Sequence, residues 1–433
     1  MRRRPRRIRL LHLAAITAVF ALSAVATLSW AWTGGVDQLG LPYGPGGDPV
    51  VVAPGATPGR DTPEPGEPGQ PGLPDMPPPP TVKPAVPGAG ALRGSPTVPA
   101  GPAPGAPAPP RPRSGPCRIG AKLVPTCGVL WGVAPGAFTD KRGMRALTAF
   151  EAKTERHQDV FHAYHKGQRQ LFPTQAEIAI ARQPGRERIL FLNWKPAGVS
   201  WAKIAKGDPK TDAFLDRLAA HIKKTFPEQF FFTVHHEAED NVKETKGSGY
   251  EAEDYAAMYR HVIQRLRAHG VHNAVTVLVH MAYVPHTSKA WFEKMYPGDS
   301  VVDWIGFDTY AYSDPGYGHG DFAELLNRRS ESKPTWPGFY NWAQETHPGK
   351  PLMVAEWGVW SSKRNPGHKA DFYREVGKQI GEFPNIRALI HFDTPHNQEG
   401  RDSRVDTTPA ALSAYRWLGH LPIFKVDVQP LLP

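Results

Sequence analysis

Short apolar runs and amphipathic segments alternate along the chain after residue 127. Each apolar run has the length of a strand and little polar alternation, which is typical of a strand buried on both faces of a parallel sheet. The segments between the runs carry apolar residues at helical spacing. Eight strands are predicted, at residues 128–133, 159–165, 188–194, 230–234, 274–283, 301–312, 352–356 and 386–393.

Helices are predicted between these strands, and Thr174 is expected to cap the second of them. A longer irregular segment that contains a helix separates the sixth strand from the seventh. Eight strand–helix units in about 300 residues favour an α/β fold of the closed (β/α)8 TIM-barrel type over an open doubly wound sheet. No GxGxxG motif follows the first strand, which further disfavours a dinucleotide-binding fold. The helices are predicted at residues 140–157, 174–182, 211–226, 251–269, 368–383 and near 409–418.

The composition changes this picture only in the first quarter of the 433-residue chain, where many of the 47 prolines and 42 glycines are concentrated. The formal net charge is +10, but six arginines lie within the first nine residues. Without them the positive charge on the rest of the chain is weak. No basic stripe interleaved with aromatic residues is present, so we expect no nucleic-acid partner.

Residues 1–35 are predicted to be a signal peptide or a signal anchor. Basic residues at 2–7 precede an apolar run at 8–32 whose only charge is Arg9, and such a patch directs the following chain across a membrane. The run is long enough to span a hydrocarbon core of ~30 Å, and Ala24-Val25-Ala26 fits a signal-peptidase site. Cleavage and anchoring both stay open. The protein is expected outside the cell or on its surface, tethered by or released from this membrane segment.

Residues 36–116 are rich in Pro, Gly and Ala and lack apolar periodicity, which predicts a disordered, semi-extended linker. The segment could serve as a spacer or could be an unselected disordered tail, and both interpretations stay open. Cys117 and Cys127 are the only cysteines. In an exported chain they predict one disulfide that closes a short loop, whereas a cytosolic chain would hold two reduced thiols. Neither a CxxC motif nor a matching His pair is present, so no metal site is expected from them.

Two predicted strands end in a glutamate. The strand at 230–234 runs directly into His235-His236-Glu237-Ala238-Glu239-Asp240, and the strand at 352–356 ends at Glu356. Active sites of (β/α)8 barrels lie at the carboxyl ends of the strands, so Glu237 on strand four and Glu356 on strand seven should share one cleft. Two carboxyl groups there suit glycosidic bond cleavage, in which one protonates the leaving oxygen and the other attacks the anomeric carbon or activates water.

From about Cys117 to its end, the chain resembles the large clan of retaining glycoside hydrolases with (β/α)8 barrels, and family 26 in particular. That family is known for endo-β-mannanases and related β-glycanases. The matching motifs are His236-Glu237 at strand four, Gly306-Phe307-Asp308-Thr309-Tyr310 at strand six, and Ala355-Glu356-Trp357-Gly358 at strand seven. The resemblance implies that residues 117–433 form a catalytic domain.

The same resemblance implies roles for individual residues. Glu237 would be the acid/base and Glu356 the nucleophile of a retaining reaction, and Tyr310 would hydrogen-bond the nucleophile. His236 would orient the acid/base or a sugar hydroxyl, and a purely structural role is the alternative. The adjacent His235 should face the opposite side and be structural.

Aromatic and acidic residues near the strand ends are further candidates. Trp194, Trp357 and Trp360 are candidate sugar-binding platforms, because aromatic rings match the apolar faces of pyranoses, and core packing is the alternative for each. Asp308 and Asp393 are expected to be hydrogen-bonding groups at the end of the barrel. The mechanism requires no metal and no cofactor.

We therefore expect an exported, monomeric glycoside hydrolase whose partner is a β-linked polysaccharide, either mannan or another β-glycan. One alternative is a non-catalytic carbohydrate-binding pseudoenzyme at the cell surface, in which the carboxylates only hydrogen-bond a glycan. Another is a zinc hydrolase built on His235, His236 and Glu237. The zinc alternative is disfavoured because adjacent histidines on a strand diverge and no HExxH spacing is present.

Overall fold

Eight parallel strands close into a barrel in which each strand pairs with its neighbours in chain order and the eighth pairs with the first. The structure, a computed structural model, describes residues 117–429 apart from 138, 140–141, 315–316, 319, 331–332 and 398–399. The predicted membrane segment and linker lie outside the described residues. The strands are β1 Leu130–Pro135, β2 Val160–Lys166, β3 Ile189–Lys195, β4 Phe230–Val234, β5 Ala274–Met281, β6 Trp304–Ala311, β7 Leu352–Val359 and β8 Ile386–Asp393.

Helices follow the strands and surround the barrel. The predicted (β/α)8 barrel is confirmed, and the predicted strands match the observed ones within a few residues. The α-helices are α1 Met144–Thr154, α2 Gln175–Ala181, α3 Trp201–Ala205, α4 Pro209–Thr225, α5 Ala252–Ala268, α6 Val284–Thr287, α7 Phe322–Leu326, α8 Phe339–Thr346, α9 His368–Gln379 and α10 Pro409–Gly419.

Local sequence explains where several helices begin. The Thr174 side chain accepts a hydrogen bond from the backbone N–H of Glu177, and the Glu177 carboxylate accepts one from the N–H of Thr174, so that the two form a capping box. The Asp208 side chain caps α4 by accepting a hydrogen bond from the backbone N–H of Thr211, and Pro209, which follows it, loses no hydrogen bond at the first helical position. Short helices α3 and α6 were not predicted, because segments of five and four residues show too little periodicity.

Apolar side chains fall into two layers. Large apolar residues on the outward faces of the strands pack against the helices, and a smaller cluster fills the barrel interior. The interior cluster includes Leu130, Phe231, Met353 and Ile390, which come from four different strands. A packed interior of this kind makes the barrel a core rather than a pore, so that only its ends can hold a site.

The amino-terminal end of the barrel is closed by the two ends of the described chain. The predicted disulfide between Cys117 and Cys127 is present. The strand Cys117–Arg118 pairs in parallel with Val426–Asp427, and Leu123 and Val428 pack into the interior cluster. This plug leaves the carboxyl-terminal end as the accessible mouth. None of the helices within residues 117–429 is both long and apolar enough to cross a bilayer.

Candidate active site

The barrel interior becomes polar toward the carboxyl ends of the strands. On β2 the buried Val160 is followed at every second position by His162 and Tyr164, and on β3 Phe191 is followed by Asn193. Side chains two residues apart on a strand share one face, so each of these strands carries an apolar base and a polar top. The polar groups surround the ends of β4 and β7, where the two candidate glutamates lie.

Glu356 is buried, with 6% of its surface exposed, and its carboxylate receives hydrogen bonds from two phenols. The Tyr164 hydroxyl donates to Oε1 and the Tyr310 hydroxyl donates to Oε2, each at 2.7 Å. His236 Nε2 lies 3.3 Å from Oε1. Hydrogen bonds from phenols and an imidazole favour the ionised form of a carboxyl group. The structure thus provides an environment suited to a carboxylate anion at this position.

Glu237 lies near the same imidazole nitrogen. Its Oε2 lies 3.9 Å from His236 Nε2, whose distance to Glu356 Oε1 is 3.3 Å. The two glutamate oxygens therefore lie no farther apart than the sum of those distances. Carboxyl groups of retaining glycosidases lie about 5–5.5 Å apart, and those of inverting enzymes about 6.5–9.5 Å apart. This limit on one pair of oxygens is compatible with the first range and with part of the second.

The two carboxyl groups have opposite proton affinities. Burial raises the pKa of Glu237 well above the usual value for a glutamate, and the nearby charges of Glu356 and Asp240 raise it further. Burial also acts to raise the pKa of Glu356, but hydrogen bonds from His236 and Tyr164 and the charge of His236 lower it overall. At a pH between the two values, Glu237 carries a proton and Glu356 is ionised.

Asn193 orients the His236 imidazole, which lies near both glutamates. The Asn193 Nδ2 amide donates to His236 Nδ1, so that in the neutral ring Nε2 carries the hydrogen and points toward the carboxylates. His236 Nε2 and oxygens of Glu237 and Asp308 lie within 4.8 Å of one another, a grouping that could hold a cation. With the hydrogen on Nε2, this nitrogen has no lone pair for a metal. The grouping is therefore better suited to hydrogen bonding than to metal ligation.

His235 has a different environment. Its Nδ1 accepts a hydrogen bond from Trp201 Nε1 at 3.0 Å, and its Nε2 donates to Asn241 Oδ1 at 2.8 Å. Trp201 belongs to α3, so His235 lies on the helix side of the barrel wall while His236 lies inside it. The zinc arrangement of the two adjacent histidines with Glu237 is not formed.

Two of the three candidate tryptophan platforms are wrong. Trp194 and Trp357 are fully buried between the barrel and the helices, and neither ring faces the mouth. The Trp194 indole stacks on Phe214 of α4 with ring centroids 5.5 Å apart, and its N–H donates to the carbonyl of Gly167. Since Trp194 and Trp357 each directly follow a residue that points into the site, strand alternation sends their rings outward.

Trp360 lies beside the site but is 4% exposed. Its ring stacks on that of Tyr310 with centroids 5.4 Å apart, and the Arg401 guanidinium carbon lies 4.4 Å from the Trp360 centroid. This packing supports the phenol that contacts Glu356 and leaves little ring surface for a ligand. Asp393 has the expected barrel-end role, because it accepts hydrogen bonds from Lys153 Nζ and from the backbone N–H of Val405.

Asp308 is buried beside the glutamates. Its burial raises its pKa well above the usual value, and the charges of Glu356 and Glu237 act in the same direction. The crowding of three carboxyl groups therefore favours the protonated form of Asp308.

Sequence reasoning missed Tyr164, His162 and Asn193. The Tyr164 hydroxyl lies 3.0 Å from His162 Nδ1 as well as 2.7 Å from Glu356. Burial lowers the pKa of His162 to about 3, so the ring is neutral. The signal that could have found these residues is the alternation itself. Polar residues continue the inward-facing series of β2 and β3 where the mouth begins.

Part of the chain matches a known protein family. The family described as Glycosyl hydrolase family 26 matches residues 207–328. The predicted resemblance to family 26 is confirmed. The matched segment includes Glu237 and Tyr310 and ends before Glu356.

Curated relatives of this family 26-like chain match parts of it. Endoglucanase H of Acetivibrio thermocellus is 26% identical over 238 residues, which are 53% of this chain and 24% of the relative. A β-1,3-xylanase of an Alcaligenes species is 28% identical over 125 residues, 26% of each protein. The chain thus spans about a quarter of the length of these relatives.

Mannanases are among the solved structures to which this chain is similar. A β-mannanase of Bacteroides ovatus has a TM-score of 0.49 and 17% identity, with coverage of 70% of this chain and 91% of that one. The mannanase BCman of Bacillus subtilis has a TM-score of 0.46 and 15% identity, with coverage of 71% and 91%.

Proposed function

We propose that the protein is an exported retaining glycoside hydrolase that cleaves a β-linked polysaccharide, either mannan or another β-glycan. The observation that carries this proposal is the pair Glu237 and Glu356, which face one imidazole and have pKa values displaced in opposite directions. Two relatives of the chain, an endoglucanase and a β-1,3-xylanase, support a polysaccharide substrate.

In the first step Glu237 gives its proton to the leaving glycosidic oxygen. Glu356 attacks the anomeric carbon and forms a glycosyl ester, while the bond to the leaving sugar breaks. Glu237, now ionised, accepts a proton from water in the second step. That water releases the sugar with its original anomeric configuration and restores the Glu356 carboxylate.

The neighbouring groups hold the carboxyl groups in these states. Tyr164 and Tyr310 keep Glu356 ionised and oriented, and His236 Nε2 lies near both acids. Asn193 holds that ring by its amide. This arrangement needs no cofactor or metal, since proton transfer and nucleophilic attack come from side chains.

The test is hydrolysis of soluble β-mannan, mixed-linkage β-glucan and β-1,3-xylan by the purified protein, measured as new reducing ends. NMR of the first products should show the retained anomer. We expect Glu356→Gln to lower turnover by at least about 1,000-fold while glycan binding persists. If no glycan is cleaved and Glu356→Gln binds as the wild type does, the carbohydrate-binding pseudoenzyme replaces the hydrolase.

Export and location form a separate part of the proposal. The basic patch and apolar run within residues 1–35 support transfer across a membrane, and residues 36–116 would then act as a spacer. Amino-terminal sequencing of the protein recovered from cell and medium fractions tests this: a new terminus after Ala26 indicates cleavage, and an intact terminus in the membrane fraction indicates an anchor. Full-length protein in the cytosol would contradict export. Light scattering should give the mass of a monomer.

A further inference from the structure

Tyr283 is an exposed aromatic residue at the mouth of the barrel. Among the described residues, only Tyr283 and Trp417 are large hydrophobic side chains with high exposure, at 47% and 46%. Trp417 belongs to α10, and its ring approaches Gly377 of α9 in the outer helix layer. Tyr283 instead follows β5 at its carboxyl end, on the side of the barrel where the two glutamates lie.

Backbone contacts hold Tyr283 beside the site. The N–H of the preceding Ala282 donates to the carbonyl of Asp308 at 3.0 Å. The Arg328 guanidinium donates to the carbonyl of Ala282 at 3.4 Å and to that of Tyr310 at 3.0 Å. The segment that carries Tyr283 is therefore fixed to the end of β6, whose residues line the site. These bonds hold the backbone next to Tyr283 at the mouth.

The segment after β5 is also joined to the segment that carries Glu237. The His286 ring lies 5.0 Å from the Tyr283 ring at 74°, and His286 Nε2 lies 3.1 Å from Asp240 Oδ1. Farther along, Trp291 Nε1 donates to Glu244 Oε1 at 3.1 Å. Two side-chain contacts thus connect the loops that follow β4 and β5 into one wall, and Tyr283 is its exposed ring.

We propose that Tyr283 is a stacking platform for a pyranose of the leaving portion of the substrate. This inference rests on the proposed function, because Glu237 protonates the leaving oxygen and the leaving sugar must therefore lie beside the Glu237 loop. The wall attached to that loop presents one exposed aromatic face. The C–H groups on one face of a β-linked pyranose form an apolar surface that matches such a ring.

The experiment compares Tyr283→Ala with Trp417→Ala, which removes an equally exposed aromatic ring on the outer helix layer. Each variant is assayed on the polysaccharide that the wild type cleaves best and on the matching glycosyl fluoride. Fluoride leaves as a small ion and cannot reach Tyr283. We expect Tyr283→Ala to lower the ratio of kcat/KM for polysaccharide to kcat/KM for fluoride by about 3- to 10-fold. Trp417→Ala should leave that ratio unchanged, and Tyr283→Phe should restore it.

The outcomes separate this inference from the proposed function. If the wild type cleaves polysaccharide and both alanine variants give the same ratio, the platform is refuted and the hydrolase stands. If the wild type cleaves nothing, the hydrolase is refuted, and retardation of each protein in gels that contain β-mannan, mixed-linkage β-glucan or β-1,3-xylan tests whether Tyr283 is a platform. Weaker retardation of Tyr283→Ala alone supports it, and equal retardation of all variants overturns it. Thermal unfolding of each variant excludes misfolding as the cause of a loss.

Discussion

Tyr164 offers a sharp test of how the site controls Glu356. Its hydroxyl donates one of the two phenol hydrogen bonds that the carboxylate receives, both of 2.7 Å. Replacement by phenylalanine removes this donor and keeps the ring, which packs edge-on against Phe392 with centroids 6.1 Å apart. The lost bond is one that favours the ionised carboxyl group, so Tyr164→Phe should raise the pKa of Glu356 from its lowered value.

The size of the effect follows from the strength of a hydrogen bond to a charged group, about 1.5–3 kcal/mol. Glu356 keeps Tyr310 and the His236 nitrogen at 3.3 Å after the change. At acidic pH, where the ionised fraction of Glu356 limits the rate, kcat/KM should therefore fall by about 10- to 100-fold. The fall should shrink as the pH rises, because the nucleophile becomes ionised in both proteins.

The assay is the pH dependence of kcat/KM on the best polysaccharide substrate. The ascending limb should move to higher pH in Tyr164→Phe and in Tyr310→Phe. The matched control is Tyr373→Phe, since the Tyr373 hydroxyl is buried in the outer layer without a hydrogen-bond partner in the described part of the chain. An ascending limb that coincides for Tyr164→Phe and the control would refute the role given to this phenol.

Three further changes test the site and the fold. Glu237→Gln should lower polysaccharide turnover by about 100- to 10,000-fold. It should also abolish the descending limb of the pH dependence of kcat/KM, because the pKa of Glu237 is raised and its acid form is lost as the pH rises through that value. A descending limb that persists in the variant would belong to another group. Arg188→Met removes the partner that lies 2.9 Å from the buried Glu151 carboxylate. The free energy of unfolding, measured in urea, should fall by about 3–5 kcal/mol, and a fall below about 1 kcal/mol would contradict a strong buried pair. Replacement of both Cys117 and Cys127 by serine should lower the free energy of unfolding by about 3 kcal/mol. Reduction of the wild type should give the same loss if the disulfide between these residues is the cause.

The alternation of apolar strands and amphipathic helices was sufficient to predict the barrel. Each predicted strand is buried on both faces in the closed sheet, so its apolar run is visible without knowledge of its neighbours. The two glutamates could be predicted for the same reason, since each is an ionisable residue that closely follows such an apolar run in the sequence. The hydrogen bond from Tyr164 to Glu356 spans 192 positions and depends on how the barrel closes, which local patterns do not contain.

The tryptophan platforms failed because residue type was given more weight than position. Asn193 points into the site, so Trp194, its neighbour on β3, must point to the helices. Tyr283 shows the converse, because it lies just beyond the last residue of β5, where the strand pattern ends and exposure depends on the loop. A position beyond a strand end does not by itself expose an aromatic ring, because Trp360 follows the last residue of β7 and is buried.

Both glutamates reach the site through breaks in strand alternation. On β7, Met353 and Ala355 pack in the barrel interior, so strict alternation would turn Glu356 outward. The register shifts between Val354 and Glu356, as a bulge does, and Glu356 pairs with Asp308 and faces inward as well.

On β4, Phe231 faces the interior, and alternation would place His235 inside and His236 outside. His235 instead has a φ of 52°, and Glu237 has a φ of 51°. Left-handed conformations cost non-glycine residues about 1–3 kcal/mol each and persist only where the surrounding structure holds them. His235 is held by its bonds to Trp201 and Asn241. The bonds that make His235 structural are therefore what turns His236 toward both carboxyl groups, so the site depends on a residue outside it.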